Sequence, residues 1–238
     1  MKNTATQEQP GLQNERQLYG RRMGRPLSSG LAASLECALP SMRLDPGRPA
    51  PARLVAIFPV PVEDIWLEIG FGGGEHLLFQ AETHKGSGFI GCEPFISGVA
   101  KVVHGAEKSG LRNILVYDDD ANHILDWLPE ASIGRVFVLF PDPWPKRRHR
   151  KRRFLNKEGI TRIARVMRPG AQLRFASDIA DYAGMVEDGI AASPHFDLAP
   201  GSLAERPADW PLTRYAEKAI AANRCCRFYI FVRNSYIS

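Results

Sequence analysis

The stretch IWLEIGFGGGEHLLFQ, residues 65–80, decides the fold class of this chain. Its first residues are mostly apolar and include β-branched and aromatic side chains, which is typical of a buried strand. Glycines follow at 70, 72, 73 and 74, and a stretch that predicts a helix begins at Glu75. Glycines in such a turn permit positive φ and a close approach of the backbone to a ligand. Gly70, Gly72 and Gly74 are therefore candidate cofactor-binding residues, although a similar turn suits a nicotinamide dinucleotide.

Strand-like runs alternate with helical stretches along the rest of the chain. The runs predicted as strands are 65–70, 88–95, 113–118, 134–140, 171–177 and 224–232. The stretches predicted as helices are 75–84, 96–109, 121–128, 156–167, 179–191 and 211–222. This alternation predicts an α/β fold with a mostly parallel sheet and helices on both faces. The last strand has a predicted partner at 195–199, which indicates an antiparallel pair at the edge of the sheet.

The N-terminal part of the chain has a different composition. Residues 1–30 are polar and predict a flexible arm, residues 31–50 predict a short helix and a Pro-rich linker, and the domain is expected to span 51–238. The N-terminus lacks the apolar block of a secretory signal, and no apolar stretch reaches the roughly 20 residues that span a bilayer. We therefore expect a cytoplasmic protein with no membrane contact. The four cysteines have no metal-ligand spacing, so no metal is expected.

Three acidic residues narrow the choice of cofactor. Glu68 precedes the glycine turn, Glu93 ends the second predicted strand, and Asp120 follows the third. A carboxylate after the second strand suits ribose hydroxyls, and one after the third can accept from an adenine amino group. An acid beside the glycines favours a cationic ligand over a pyrophosphate. The constellation therefore favours S-adenosylmethionine over NAD. Asp118 and Asp119 compete for the adenine contact, and Asp120 can also act as a helix N-cap.

The stretch LFPDPWPKRRHRKRRF, residues 139–154, begins where the fourth predicted strand ends. Its three prolines each fix a φ angle, so the loop has little conformational entropy left to lose. Asp142 and Trp144 are therefore presented on a stiff loop at the crevice where ligands bind in open α/β sheets. Trp144 can stack on a base, and Asp142 can face developing positive charge. A rigid structural turn with a core tryptophan is the alternative.

A basic run follows this loop immediately. The chain has a net charge of +5, and the run from Lys146 to Arg153 alone contributes seven positive charges. A local concentration of this kind predicts a polyanionic partner such as nucleic acid, or else a solvated surface loop. The residues predicted to contact an RNA backbone are Arg147, Arg148, Arg150, Lys151, Arg152 and Arg153. A thinner basic cluster (Arg16, Arg21, Arg22 and Arg25) lies near the N-terminus.

These motifs resemble those of the bacterial tRNA (guanine-N7-)-methyltransferases. The resemblance covers residues 20–235 and includes LEIGFGGGEHL, FPDPWPK with its basic run, Ser177–Asp178 and TRYAEKA (213–219). It implies a Rossmann-like class I methyltransferase with a seven-stranded sheet, acting on guanosine 46 in the tRNA variable loop. By the same resemblance, Glu68, Glu93, Asp120 and Asp142 would line the S-adenosylmethionine site, with Asp142 as the catalytic acid. The implied substrate contacts are Lys146, Asp178, Thr213, Arg214, Tyr215 and Glu217.

Guanine N7 chemistry agrees with this set of residues. N7 carries a lone pair and no proton, so methyl transfer to it needs neither a general base nor a nucleophilic side chain. Positive charge develops on the guanine, and a carboxylate aimed at the ring stabilises the transition state. Asp142 and Asp178 are the candidates, of which Asp142 is favoured. Two alternatives are an enzyme acting on adenine N6 and an inactive RNA-binding module. The sequence leaves open a monomer or a homodimer.

Overall fold

The computed structural model describes residues 22–198 and 205–235, and seven strands within these residues form one mixed sheet. The strands are β1 Asp64–Ile69, β2 Ser87–Cys92, β3 Ile114–Tyr117, β4 Ile133–Leu139, β5 Met167–Ser177, β6 Phe196–Leu198 and β7 Arg227–Arg233. The α-helices are α1 Ser29–Cys37, α2 Leu39–Met42, α3 Glu75–Thr83, α4 Ile96–Lys108, α5 Ala121–Trp127, α6 Lys157–Val166, α7 Ala180–Ala191 and α8 Arg214–Ala221. Short 3-10 helices span Leu54–Ile57 and Arg147–Arg152.

The strand order places the ends of four parallel strands at one edge. The order is β3-β2-β1-β4-β5-β7-β6, in which β1 to β5 run parallel and β7 is antiparallel to both β5 and β6. The order reverses between β1 and β4, which is the point where open α/β sheets bind their ligands. The predicted α/β fold and the antiparallel C-terminal pair are confirmed. β5 begins at Met167, four residues earlier than its predicted start at 171.

Alternation along the strands produces an apolar layer on each face of the sheet. In β1, Ile65, Leu67 and Ile69 pack into the cluster that contains residues of α5, α6 and α7. Trp66 points to the other face, where it packs with apolar residues of α3 and α4. Both faces are covered, as parallel sheets require. The even-numbered Glu68 therefore lies on the side of α3, which determines its partner in the structure.

The region predicted as a short helix and a Pro-rich linker forms α1 and α2 and contacts the sheet and α4. In α1, the Ser34 hydroxyl donates to Glu107 of α4 at 2.7 Å. Just after α2, the Leu44 amide donates to the carbonyl oxygen of Val116 in β3 at 2.9 Å. The chain is therefore attached to α4 and β3 before residue 51, and the boundary at 51 stays a prediction. Residues 1–21 of the predicted arm lie outside the described residues, as do Arg16 and Arg21.

Helix α4 packs directly on the glycine turn, and this predicts opposite effects for two Gly→Ala substitutions. A Cβ at Gly98 in α4 would lie 2.1 Å from the carbonyl oxygen of Gly72, whereas a Cβ at Gly184 in α7 would meet nothing within 4 Å. We expect Gly98→Ala to lower the free energy of unfolding by about 1–3 kcal/mol through overpacking. Gly184→Ala, the matched control, should raise it by about 0.4–1 kcal/mol. Urea unfolding followed by circular dichroism measures both, and equal effects of the two substitutions would contradict this packing.

Candidate active site

A cavity of about 760 Å³ lies beyond the carboxyl ends of β1, β2, β3 and β4. Its volume is within the usual range for a small-molecule cofactor site, about 300–1,000 Å³. The predicted residues that line it are Gly70, Gly72, Glu93, Asp120, Asp142, Lys151, Arg152, Arg153, Arg214 and Tyr215. One cavity thus brings together the acids after β2 and β3, the loop after β4 and the start of α8.

The glycine turn has the backbone that its sequence predicts. Gly70, Gly72 and Gly74 have φ of 75°, 56° and 81°, a backbone region that residues other than glycine rarely adopt. A Cβ at Gly72 would also lie 2.9 Å from the ring of Tyr215, so the turn and α8 are in close contact. Gly70 and Gly72 line the cavity, whereas Gly74 is the N-cap of α3 and packs against Val102.

Glu93 connects two segments of the cavity rim, the glycine turn and the start of α4. Its Oε2 accepts from the Gly72 amide at 2.8 Å and its Oε1 accepts from the Phe95 amide at 2.9 Å. The residue is 8% exposed, and desolvation raises the pKa of its carboxyl although both backbone hydrogen bonds oppose that shift. Each carboxylate oxygen has a second lone pair that can accept from a ligand hydroxyl. Glu93 therefore couples the shape of the glycine turn to the predicted ribose contact.

The three aspartates after β3 occupy different environments. Asp118 forms an ion pair with Arg43 at 2.5 Å, and Asp119 forms one with Arg22 at 2.9 Å. Asp120 is the N-cap of α5, where it accepts from the Asn122 amide at 2.9 Å, and it is 8% exposed. Asp119 and Asp120 line the cavity. The structure therefore favours these two over Asp118 for the predicted adenine contact, and Asp120 also has its alternative role as a cap.

Glu68 is placed differently from the other predicted cofactor residues. It is 3% exposed and lies between β1 and α3, where its Oε2 is 2.8 Å from His76 Nδ1. The His76 ring in turn packs edge-on against Phe137 and Trp210. The cavity lining does not include Glu68. Contact between Glu68 and a cofactor stays a prediction, and the pair that the structure shows is internal to the fold.

The loop that carries Asp142 has an unusual backbone. Phe140 and Trp144 have φ of 50° and 42°, a conformation that costs about 1–3 kcal/mol at each non-glycine residue. The Phe140 amide donates to the carbonyl oxygen of Ala176 in β5 at 2.8 Å, which fixes the start of the loop to the sheet. Asp142 and Trp144 both line the cavity. The Asp142 carboxyl is open to the cavity, and partial desolvation there raises its pKa above the usual range.

The basic run divides into groups with different surroundings. Arg147 and Arg148 are exposed, and Arg150 is paired with Asp181 at 2.8 Å. Lys151 and Arg152 line the cavity, and the Arg152 guanidinium lies 5.1 Å from the centre of the Trp144 ring. The predicted contact of Arg153 with an RNA backbone is wrong. Its side chain is 1% exposed because it is enclosed by the loop and α7, so a phosphate cannot reach it.

The residues predicted to contact the substrate also have different surroundings. Lys146 is exposed beside the cavity, and Asp178 accepts from Arg224 Nε at 2.6 Å. Thr213 is buried as the N-cap of α8, where its hydroxyl accepts from the Ala216 amide at 3.3 Å. Glu217 is exposed on α8 and is not part of the cavity lining. The Thr213 hydroxyl is therefore engaged in capping α8, whereas Glu217 is exposed on the same helix.

Arg162 and Asn122 are among the cavity-lining residues that were not predicted from the sequence. The Arg162 guanidinium donates to the Asn122 carbonyl oxygen at 2.8 Å. The two residues are 40 positions apart and belong to ordinary helical patterns, so nothing local marks them.

Cys92 also lines the cavity, but burial raises the pKa of its thiol, which keeps it protonated and a poor nucleophile. Among the described residues, no group of three His, Cys, Asp or Glu side chains could hold a metal ion. No helix in the same part of the chain is both long enough and apolar enough to cross a membrane. The site thus consists of carboxylates, a glycine turn, an aromatic loop and arginines, a set suited to group transfer between bound ligands.

Comparison with known proteins agrees with a site for group transfer. A family described as "Putative methyltransferase" matches residues 63–226. The chain is 46% identical over 222 residues to a tRNA (guanine-N(7)-)-methyltransferase of Rhizobium meliloti (strain 1021), covering 90% of this chain and 94% of that protein. It is 41% identical over 235 residues to a protein of the same name from Brucella anthropi, covering 96% and 99%.

A solved structure of the 16S rRNA methyltransferase KamB superposes with a TM-score of 0.55 at 18% identity, over 74% of this chain and 90% of that chain. This likeness concerns the fold alone and confirms the Rossmann-like class I methyltransferase architecture. The predicted cofactor, S-adenosylmethionine, agrees with the match to a methyltransferase family and with the methyltransferase relatives. From the family match and the extent of these identities, the chain belongs to the tRNA (guanine-N(7)-)-methyltransferase family.

Proposed function

We propose that this chain transfers a methyl group from S-adenosylmethionine to N7 of guanosine 46 in the tRNA variable loop. The observation that carries the proposal is the shared cavity, in which Glu93 and Asp120 face the loop of Asp142 and Trp144. The basic run begins directly after that loop. The proposed cofactor site therefore lies next to Trp144, on which a base could stack, and next to basic side chains that could bind phosphates. The names of the relatives support tRNA guanine N7 as the acceptor, and the variable loop rests on the motif resemblance.

The residues present fit the methyl donor. S-adenosylmethionine supplies an activated methyl group on a sulfonium, and its ribose, adenine and ammonium all favour carboxylates over phosphate-binding groups. Glu93 would accept from the ribose hydroxyls and Asp120 from the adenine amino group. Gly70 leaves the backbone open beside the cavity, since a Cβ there would meet nothing within 4 Å, whereas Gly72 lies against the Tyr215 ring. The donor would thus be held by residues from three neighbouring strand ends.

Asp142 would act on the acceptor side of the cavity. Its carboxylate would stabilise the positive charge that forms on guanine as the methyl group arrives, and no proton needs to be removed from N7. The anion is the active form in this role. Because desolvation raises the pKa of Asp142, the side chain protonates at a higher pH than a solvated aspartate does. Activity should therefore fall as the pH drops through that raised pKa.

The remaining predicted residues would bind the tRNA. Tyr215 and Arg214 line the cavity from α8, and the Arg214 guanidinium lies 5.4 Å from the Tyr215 ring centre. Lys146 and Asp178, the latter oriented by Arg224, would contact the guanosine nucleotide, with Thr213 and Glu217 as predicted contacts of the same segment. The proposed phosphate contacts are Arg147, Arg148, Arg150, Lys151 and Arg152.

Unmodified tRNA with a guanosine at position 46 should gain one methyl group when it is incubated with the purified chain and S-adenosylmethionine. Nucleoside mass spectrometry should identify 7-methylguanosine, and borohydride followed by aniline should cleave the product at residue 46. A transcript with adenosine at position 46 serves as the control and should remain unmethylated. Methylation of that control, or a product such as N6-methyladenosine, would contradict the proposal.

The Asp142→Asn substitution should lower kcat by about 100-fold or more, because the amide cannot neutralise charge on the guanine. Its Kd for S-adenosylmethionine should remain within about tenfold of the parent, since a neutral hydrogen bond is worth roughly 0.5–1.5 kcal/mol. Asp45→Asn, a change of the same kind at an exposed turn, is the control and should leave kcat unaltered. Single-turnover kinetics measures both, and an unchanged kcat in Asp142→Asn would remove the residue from catalysis.

A further inference from the structure

Arg153 ends the basic run but is the largest fully buried side chain of the described residues, with 1% exposure. Its Nε donates to the carbonyl oxygen of Pro143 at 2.8 Å, and one terminal nitrogen donates to Asp181 at 2.6 Å. The guanidinium also lies 4.8 Å from the centre of the Tyr182 ring. Its described partners all belong to this chain, although the Asp181 side chain is itself 47% exposed on its other side. This guanidinium therefore joins the loop after β4 to the first turn of α7.

The partners on α7 are themselves held in place. The buried Tyr182 hydroxyl accepts from the Leu155 amide at 3.1 Å, which ties the chain just after Arg153 to the same helix. Asp181 also pairs with Arg150 at 2.8 Å. The position of the Arg153 guanidinium is thus set by α7 and by the backbone on its C-terminal side. A guanidinium held in this way can fix the position of the loop that it contacts.

Pro143 is the residue between Asp142 and Trp144, so its carbonyl oxygen belongs to the backbone that positions both side chains. Phe140 and Trp144, with positive φ, lie on either side of it. Prolines have no amide hydrogen, which leaves carbonyl oxygens as the main means of attaching this loop. The Pro143 carbonyl is attached by a planar, permanently charged donor, and a lysine in its place would lack the same fork of donors.

We infer that Arg153 is a positioning residue for methyl transfer, which holds the Asp142–Trp144 loop in its strained, reactive conformation through the Pro143 carbonyl and does not bind RNA. The inference rests on the proposed function, because the loop matters only if Asp142 faces the acceptor. It assigns to the basic run two separate tasks. The exposed arginines contact the polyanion, and the buried one sets the geometry of the catalytic loop.

The test compares Arg153→Met and Arg153→Lys with Arg165→Met. Arg165 is half-buried and donates to the Leu125 and Leu128 carbonyl oxygens at the C-terminal end of α5. Arg165→Met is therefore the matched control, because it also removes a guanidinium that binds carbonyl oxygens but lies away from the loop. Both Arg153 variants should lose about 10- to 100-fold in kcat, as expected for small misplacement of a reacting group. Their KM for S-adenosylmethionine should stay within about threefold of the parent, and Arg165→Met should retain the parent kcat.

Two further measurements separate positioning from RNA binding. Hydrogen exchange at the Phe140 amide, which donates to the Ala176 carbonyl oxygen at the start of the loop, should be faster in the Arg153 variants than in the parent and in Arg165→Met. The slope of log Kd for tRNA against log salt concentration should be unchanged in Arg153→Met, whereas the double variant Arg147→Met/Arg148→Met should lose about 0.7 per phosphate contact.

Unchanged kcat and loop exchange in both Arg153 variants would overturn the inference, and so would a smaller salt slope in Arg153→Met. An equal loss of kcat in Arg165→Met would also overturn it, because the effect would then be one of general destabilisation. If the parent chain does not methylate tRNA, the proposed function fails, but the exchange measurement still decides whether Arg153 holds the loop.

Discussion

The carboxyl ends of the parallel strands β1 to β4 meet at one edge of the sheet, and every feature of the site depends on that arrangement. Because the strand order reverses between β1 and β4, the turns that follow these two strands diverge and leave a cavity between them. Glu93 then closes this edge with two backbone hydrogen bonds, one to the glycine turn and one to the start of α4. Its burial is electrostatically unfavourable, since desolvation raises the pKa of its carboxyl. The chain therefore retains a buried acid that both shapes the turn and lines the cavity.

The acceptor side of the cavity depends on backbone strain that the rest of the fold offsets. Positive φ at Phe140 and Trp144 is unfavourable in an isolated peptide, but the Ala176 and Arg153 contacts restrain the loop at both ends. Proline residues reduce the entropy lost when the loop is ordered. A loop of this kind would keep Asp142 in one position relative to ligands in the cavity. Such preorganisation matters because the charge that Asp142 would stabilise exists only in the transition state.

Features encoded by local patterns were predictable from the sequence, and those produced by tertiary contacts were not. Strand and helix periodicity located the sheet, and the need for positive φ identified Gly70, Gly72 and Gly74. The buried role of Arg153 was missed because a run of seven basic residues looks uniformly solvated until α7 is packed against it. A short helix before the prolines was predicted and corresponds to α1, but the packing of this segment was missed, since the prolines that follow α1 resemble a linker although the segment contacts α4 and β3. Arg162 and the Glu68–His76 pair likewise depend on partners that only the fold brings close.

The central claim is that a single cavity, shaped by Glu93, binds S-adenosylmethionine beside the Asp142 loop. Isothermal titration of the purified chain with S-adenosylmethionine tests this most directly. The account predicts binding of one molecule per site, weakened by about tenfold or more in Glu93→Ala because hydrogen bonds to a charged acceptor are lost. Glu130→Ala, at an exposed position outside the cavity, should bind as the parent does. Absence of binding by the parent chain, or equal affinity in Glu93→Ala, would contradict the claim.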